Sequence, residues 1–293
     1  MTKTHPVFSP MIQGYWRMAE WGMNTQQQLS FLKQHLELGI TTVDHAPVYG
    51  PDSACERMFG EVLALDSSLR DQIEIVSKCG IYRGEHPQVN HYNSSKAAII
   101  DSVEQSLSRL KTDHLDVLLL HRPDLLMDAD EAAEAFAQLK ASGKVKHFGV
   151  SNFTPSQFDL LQSRVEQPLI TNQVEINPVN LQVTEDGTLD QLHQQRVQPM
   201  AWSCLAGGRI FSDDSEQMCR LRHTLAEVAN EVGANSIDQV IFAWVMKIPA
   251  KPVPIIGSGN IERVKTAVGA LDITLTQEQW YRVWVASKGH GVA

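Results

Sequence analysis

Short apolar runs of strand length alternate with amphipathic stretches of helical length along this chain. Such alternation is typical of repeated strand-helix-strand units that build a parallel sheet. Eight apolar runs predict strands at 11–13, 40–43, 73–77, 115–120, 145–150, 169–174, 199–202 and 252–256. Helices are predicted near 25–38, 53–64, 95–110, 129–142, 155–161, 184–195, 236–247 and 261–269, with additional ones near 217–232 and 277–286.

Eight strands alternating with eight helices predict an α/β fold of the (β/α)₈ TIM-barrel type, with extra C-terminal helices. No linker-like change of composition interrupts the pattern, so residues 1–293 are expected to form a single barrel domain. An open, doubly wound sheet is the rival architecture. That fold would normally carry Gly-x-Gly-x-x-Gly after its first strand if it bound a dinucleotide, and the pattern is absent from this sequence.

Composition narrows the classes of partner. The formal net charge of -9 and the lack of a Lys/Arg-rich run argue against a nucleic acid or an anionic membrane surface. The four cysteines show no paired short spacing, and neither a signal-peptide core nor an apolar run of membrane-spanning length is seen. We therefore expect a cytoplasmic protein with reduced thiols, acting as a monomer or weak oligomer on a small molecule.

Ionisable residues close three successive predicted strands. Asp44 follows the run 40–43, Lys78 follows 73–77 and His121 follows 115–120. Adjacent strands lie about 4.8 Å apart, so these side chains can converge at one rim of the barrel, with Tyr49 reaching in from the loop after Asp44. Each residue taken alone could equally be a turn, capping or solvated residue. Asp116 lies inside its strand and is a weaker candidate.

A lysine beside a tyrosine indicates acid catalysis. Lys78 is expected to lower the pKa of the Tyr49 phenol, Asp44 to hold Lys78, and His121 to orient a substrate carbonyl by a hydrogen bond. Such a site can protonate a developing alkoxide, but a cofactor must supply hydride. The competing hypothesis is a lyase in which Lys78 forms a Schiff base. A metal site is not expected, because His86 and His91 lie in a polar loop without ligand spacing.

A second group of residues could bind the phosphate, the ring and the carboxamide of a cofactor. The turn 257–260 follows the last predicted strand and precedes a helix with Arg263 in its first turn, an arrangement that can hold an anion. It could instead be an ordinary glycine turn with Asn260 as the helix cap. Trp202, at another strand end, could stack on a nicotinamide or belong to the core. Ser151, Asn152 and Gln173 could bind a carboxamide or cap helices.

The segment GITTVDHAPVYG at 39–50, together with Lys78 and His121, resembles the aldo-keto reductase superfamily over nearly the whole chain. The resemblance implies NADPH-dependent reduction of small aldehydes and ketones on a (β/α)₈ barrel, with Tyr49 as the proton donor and Asp44, Lys78 and His121 beside it. It assigns the following residues to the NADP(H) cofactor: Trp16, Asp44, Ser151, Asn152, Gln173, Trp202, Ser203, Cys204, Leu205, Ala206, Gly207, Gly257, Ser258 and Arg263. Within this set, Ser151, Asn152 and Gln173 meet the carboxamide, Trp202 the nicotinamide, 203–207 the pyrophosphate, and Gly257, Ser258 and Arg263 the 2′-phosphate.

Two departures from the family's pattern affect these expectations. Many members have a lysine where this chain has Gly257, so a preference for NADP depends more on Arg263 and Ser258. The loop 122–130 and the segment after Trp280 are short, which predicts an open, unselective cleft with Trp16, Trp21 and Tyr82 as candidate walls. Channel-associated members of the family also leave open a redox-sensing regulatory subunit.

Overall fold

The eight apolar runs form a closed parallel barrel in the computed structural model, which describes residues 7–84 and 88–293. The barrel strands are β1 (Ile12–Gly14), β2 (Thr42–Asp44), β3 (Glu74–Cys79), β6 (Leu115–Leu120), β7 (Val145–Ser151), β8 (Asn172–Glu175), β9 (Met200–Trp202) and β10 (Val253–Ile256), and β4 (Ile81–Tyr82) and β5 (His91–Tyr92) form a separate hairpin. Their order around the barrel is β1-β10-β9-β8-β7-β6-β3-β2. The predicted (β/α)₈ architecture with extra C-terminal helices is therefore confirmed. The N-terminal residues 1–6 and His86 lie outside the described residues.

Twelve α-helices occur in the described residues: α1 (Thr25–Glu37), α2 (Ala54–Leu65), α3 (Lys96–Leu110), α4 (Ala129–Ala141), α5 (Pro155–Gln162), α6 (Gln182–Glu185), α7 (Thr188–Gln195), α8 (Arg209–Ser212), α9 (Glu216–Val232), α10 (Ile237–Met246), α11 (Ile261–Val268) and α12 (Gln277–Lys288). Side-chain caps begin several of them. Asn24 and Thr154 each form a reciprocal capping box with the glutamine three residues later. No described helix is both long and apolar enough to cross a bilayer.

The contacts divide the chain into two compact units, Met1–Gln173 and Val174–Ala293. In the first unit all six residues of β6 are buried, and β3 pairs with it so that Lys78 lies opposite Leu119. Helices α2 and α3 approach closely at Gly60, where an added Cβ would lie 2.0 Å from the Arg109 carbonyl oxygen. A side chain cannot be accommodated there. The expectation of one domain over 1–293 stays a prediction.

The second unit contains a reciprocal tryptophan pair. The indoles of Trp244 on α10 and Trp280 on α12 stack with centroids 4.8 Å apart and planes 4° from parallel. Each indole N–H donates to the other residue's backbone carbonyl oxygen at 3.0 Å. Trp244 is fully buried. The pair fixes the C-terminal helix to α10 by packing and by satisfied polar groups together.

Asp116 lies near the N-terminal end of β6, away from the strand end that leads to His121. Its carboxylate accepts from Arg70 at 2.7 Å, from Lys146 at 2.8 Å and from the backbone N–H of Ile75 at 2.9 Å. These bonds lower the pKa of Asp116 against the opposing effect of burial. Asp116 is therefore a structural tie between neighbouring strands.

Three local features differ from the sequence predictions. The helix expected at 184–195 is two helices, α6 and α7, because the chain turns at Gly187 with φ of +85°. The strand expected at 169–174 runs from Asn172 to Glu175, and the N–H of Leu169 donates to the Gln162 side chain. The loop after β3 contains the hairpin β4–β5, whose two-residue strands are too short to leave a pattern.

Candidate active site

Lys78 lies at the centre of a buried polar cluster. Its Nζ donates to Asp44 Oδ1 at 2.7 Å, to the Tyr49 hydroxyl at 2.9 Å and to the His45 carbonyl oxygen at 2.9 Å. The Lys78 side chain has no exposed surface. All three ammonium hydrogens thus have acceptors, and the nitrogen is held in one position. The sequence did not reveal the part played by the His45 carbonyl, since any residue type would supply it.

Asp44 reaches this cluster from the C-terminal end of β2. In the register with β3 it lies opposite Val76, two residues before Lys78, so both side chains leave the same rim. Its Oδ1 also accepts from Gln173 Nε2 at 2.8 Å. The Tyr49 hydroxyl is 3.4 Å from Oδ2. Three partners therefore hold the carboxylate, and one of them, Gln173, comes from β8.

Tyr49 is placed by the turn that follows β2. Its N–H donates to the Ala46 carbonyl oxygen at 3.0 Å, and its own carbonyl accepts from Cys55 N–H at 3.3 Å. The ring meets the imidazole of His121 edge to face, with centroids 6.0 Å apart and planes at 82°. The structure thus brings together all four residues that the sequence singled out as a catalytic group.

Burial controls the pKa of the Tyr49 phenol. It raises the pKa well above the ordinary value of 10.0, and the adjacent Asp44 carboxylate raises it further. Burial also lowers the pKa of Lys78, which Asp44 opposes. The net pKa of Tyr49 is therefore raised, and the expected lowering toward working pH is not found. The phenol keeps its proton throughout the physiological pH range.

His121 is held electrically neutral beside the tyrosine. Burial lowers its pKa well below the ordinary 6.5, and the positive charges of Lys78 and Arg122 act in the same direction. Its backbone N–H donates to the Cys79 carbonyl oxygen at 2.9 Å, which fixes the residue just beyond β6. A neutral imidazole can donate one hydrogen bond without carrying a charge.

The residues assigned to a carboxamide lie beside this cluster. Ser151 pairs with Gln173 in the register of β7 and β8, and its hydroxyl donates to the Gln173 carbonyl oxygen at 2.8 Å. Asn152 donates to the Ser151 hydroxyl at 2.8 Å and to the His121 carbonyl oxygen at 3.4 Å. Its φ of +61° turns the chain sharply after β7. Gln173 connects this row to Asp44, because its backbone carbonyl accepts from Ser151 and its side chain donates to the Asp44 carboxylate.

In the second unit, the segment 203–208 follows Trp202 as a tightly turned loop. Ser203, Ala206 and Gly207 have φ of +55°, +51° and +66°. The buried Asn177 supports the turn, because its side-chain amide donates to the Ser203 carbonyl oxygen at 3.0 Å. Cys204 is buried. Asn177 was missed from the sequence, where an asparagine before a proline indicates only a turn.

The turn after β10 contains both a helix cap at Asn260 and an exposed arginine, Arg263, the two features on which the alternative interpretations of this turn depended. Asn260 caps α11 by accepting from Glu262 N–H at 2.9 Å, and its own N–H donates to the Ser258 hydroxyl at 3.1 Å. Gly257 and Arg263 are exposed. A capped helix start with an exposed guanidinium in its first turn remains compatible with a bound anion.

The three residues proposed as cleft walls have different surroundings in the structure. Trp16 is 63% exposed, with the Arg17 guanidinium 5.9 Å from its ring centroid, whereas Trp21 packs on Tyr15 and Phe31. A cavity of about 230 Å³ lies beside His121, and Tyr82 is among its lining residues. Within the described part of the chain, no cluster of three or more metal-ligating side chains occurs.

Comparison with known proteins agrees with this geometry. The sequence matches the model of the Aldo/keto reductase family over residues 10–286. It is 56% identical over 289 residues to the oxidoreductase YdhF of Escherichia coli strain K12, covering 98% of this chain and 96% of that protein. It is 40% identical over 290 residues to a 6-dehydroglucose reductase of Agrobacterium fabrum, covering 97% and 96%. A solved aldo/keto reductase from Klebsiella pneumoniae, in complex with NADP and acetate, superposes with a TM-score of 0.77 at 30% identity, covering 94% of this chain and 90% of that one.

Proposed function

This chain belongs to the aldo/keto reductase family of oxidoreductases, and from that premise we propose that it reduces aldehyde or ketone carbonyls with NADPH, using Tyr49 as the proton donor. The observation that carries the proposal is the Lys78 ammonium, which bonds both Asp44 and the Tyr49 hydroxyl. The direct test is NADPH oxidation by the purified protein across a panel of aldehydes and ketones. The absence of turnover on every carbonyl would contradict it.

In the proposed reaction the cofactor, when bound, supplies hydride to the carbonyl carbon. Tyr49 gives its proton to the carbonyl oxygen, which becomes an alkoxide and then a hydroxyl. An alkoxide is a stronger base than a phenolate, so a phenol with a raised pKa can still protonate it. Lys78 lies 2.9 Å from the oxygen that becomes negative and stabilises the resulting phenolate. Neutral His121 donates to the substrate carbonyl and orients it.

The proposed cofactor residues fall into two groups by their chemistry. Ser151, Asn152 and Gln173 carry amide and hydroxyl groups suited to a carboxamide. Trp202, the segment 203–207 and the turn at Gly257 and Ser258 with Arg263 are suited to a ring, a pyrophosphate and a 2′-phosphate. Two observations support the fit: the left-handed turn after β9 and the exposed Arg263 at the start of α11. The related Klebsiella pneumoniae protein was solved with NADP.

Arg263→Ala is expected to weaken NADPH binding about ten-fold or more, because a charged contact to phosphate contributes about 1.5 to 3 kcal/mol. NADH affinity should barely change, since NADH lacks the 2′-phosphate. Fluorescence titration with each cofactor measures both values. Lys265→Ala is the matched control, because it removes a cation from the same helix that pairs with Glu262. Equal losses for the two cofactors would refute the 2′-phosphate role.

The depressed pKa of His121 predicts a pH-independent contribution to catalysis. A histidine of ordinary pKa near 6.5 would gain charge as the pH falls from 7.5 to 5.5, but the lowered pKa keeps this imidazole neutral over that interval. The ratio of kcat between the wild type and His121→Asn should therefore be constant from pH 5.5 to 7.5. Rate profiles of the two proteins at saturating NADPH provide the measurement. A ratio that changes several-fold across the interval would mean that His121 titrates there.

His121 variants should also discriminate less well between aldehydes and ketones, because the carbonyl would no longer be oriented. The 6-dehydroglucose reductase relative makes sugar-derived aldehydes a natural first group in the substrate panel.

The Schiff-base alternative is disfavoured because Lys78 is fully buried and donates all three hydrogens. Borohydride trapping of a Lys78 adduct without nicotinamide would revive it. A redox-sensing subunit is distinguished by tight NADPH binding without turnover.

A further inference from the structure

Arg83 contacts the backbone on both sides of Tyr49. Its Nη2 donates to the Val48 carbonyl oxygen at 2.5 Å, and its Nη1 lies 3.5 Å from the Gly50 carbonyl oxygen. The side chain comes from the loop after β3, more than thirty residues along the chain. One guanidinium therefore contacts the residues immediately before and after Tyr49, the proposed acid.

The backbone that Arg83 holds is conformationally costly. Gly50, Asp52 and Ser53 have φ of +72°, +46° and +57°, all in the left-handed region. A residue with a Cβ is disfavoured there by about 1 to 2 kcal/mol, so this path persists only where surrounding contacts hold it. Ser53, the N-cap of α2, makes no side-chain capping bond. The segment after Tyr49 thus depends on contacts from elsewhere.

The base of Arg83 is itself fixed. It follows β4 directly, and β4 pairs antiparallel with β5 through Ile81 with Tyr92 and Tyr82 with His91. The Tyr82 and His91 rings stack with centroids 5.4 Å apart. The backbone N–H of Gly84 donates to Asn90 Oδ1 at 3.1 Å. The hairpin therefore presents the guanidinium from a defined position.

From these contacts we infer that Arg83 is a positioning residue that keeps the Tyr49 hydroxyl at its place beside Lys78. The inference rests on the proposed role of Tyr49 as proton donor. The guanidinium is planar and carries several N–H groups in a fork, so it can serve two carbonyls at once. A lysine ammonium keeps the positive charge but lacks this planar fork. Arg83 acts through the loop and does not touch the reacting atoms.

Arg83→Met is expected to lower kcat about ten-fold, because small displacements of a catalytic group are expensive in rate. The affinity for NADPH and the melting temperature should stay close to the wild type, since Arg83 is exposed. Arg83→Lys should recover part of the loss. Arg57→Met is the matched control, an exposed arginine on α2 of the same unit, with an expected change in kcat of less than two-fold.

Combining Arg83→Met with Tyr49→Phe separates positioning from a general structural role. Without a hydroxyl to place, Arg83→Met should change the residual rate by less than two-fold. Amide hydrogen exchange supplies a readout that needs no turnover. The N–H groups of Tyr49 and Cys55, both bonded within this loop, should exchange faster in Arg83→Met than in Arg57→Met.

Each outcome decides the inference. A full ten-fold loss in the Tyr49→Phe background, or a lowered melting temperature with a matching rate loss, would show that Arg83 acts on the fold in general. Unchanged kcat in Arg83→Met with a slow Tyr49→Phe would overturn the inference alone. Near-wild-type kcat in Tyr49→Phe would overturn the proposed function, and the inference with it.

Discussion

Tyr49→Phe is expected to lower kcat for carbonyl reduction by about 10² to 10⁴, the usual contribution of a positioned general acid. The variant keeps the ring and its edge-to-face contact with His121, and it removes only the hydroxyl that Lys78 bonds. Affinity for NADPH should hardly move. Steady-state kinetics on a substrate whose chemical step limits the rate, together with a cofactor titration, measure the two quantities separately.

A pH profile of the wild type adds a check on the same residue. Because burial and Asp44 raise the pKa of Tyr49, the phenol stays protonated, and reduction should show no decline caused by its ionisation below pH 9. Tyr281→Phe is a suitable control, since it removes a hydroxyl from an exposed tyrosine on α12. Tyr49 would leave the mechanism if its phenylalanine variant turned over at a wild-type rate.

Lys78→Met should lose rate to the same extent and lose stability as well. The rate falls because the phenolate formed by proton transfer is left without its cation. Stability falls because Asp44 remains buried as a charge with only Gln173 and Tyr49 as partners. Removing one member of a buried ion pair typically costs about 3 to 5 kcal/mol of unfolding free energy. Denaturant titration and kcat report the two effects.

The double variant Lys78→Met, Asp44→Asn separates the two losses. Replacing the carboxylate by an amide removes the unpaired charge, so a substantial part of the unfolding free energy should return while kcat stays low. Activity restored together with stability would mean that Lys78 supports only the fold. A single Lys78→Met variant as stable as the wild type would show that the buried ion pair does not support the fold.

Much of the fold and the centre of the candidate site could be predicted from the residues that follow the apolar runs. Asp44, Lys78 and His121 each come directly after an apolar run, and parallel strands in register must bring such positions to one rim. The barrel prediction succeeded for the same reason, because its strands repeat regularly. Gln173 was singled out for a cofactor carboxamide and not as a partner of Asp44. Its bond to Asp44 joins positions 129 residues apart, a distance over which a sequence pattern carries no register.

The electrostatics of the site could not be predicted in the same way. The sequence places a lysine near a tyrosine, and a neighbouring cation alone would lower the phenol's pKa. The direction of the pKa shift depends on how far burial removes water from the Tyr49 hydroxyl and on the nearby Asp44 carboxylate. Both depend on how the side chains pack. Arg83 was missed for a related reason. Its partners are backbone carbonyls, which every residue type presents.

The paired indoles of α10 and α12 also give this protein a built-in optical signal. Two aromatic chromophores stacked at 4.8 Å with nearly parallel planes interact electronically, and that interaction vanishes once the rings separate. Because Trp244 and Trp280 lie on different helices, their electronic coupling exists only while α12 is docked on α10. Spectroscopy can therefore follow that helix by itself, without a label and without a substrate.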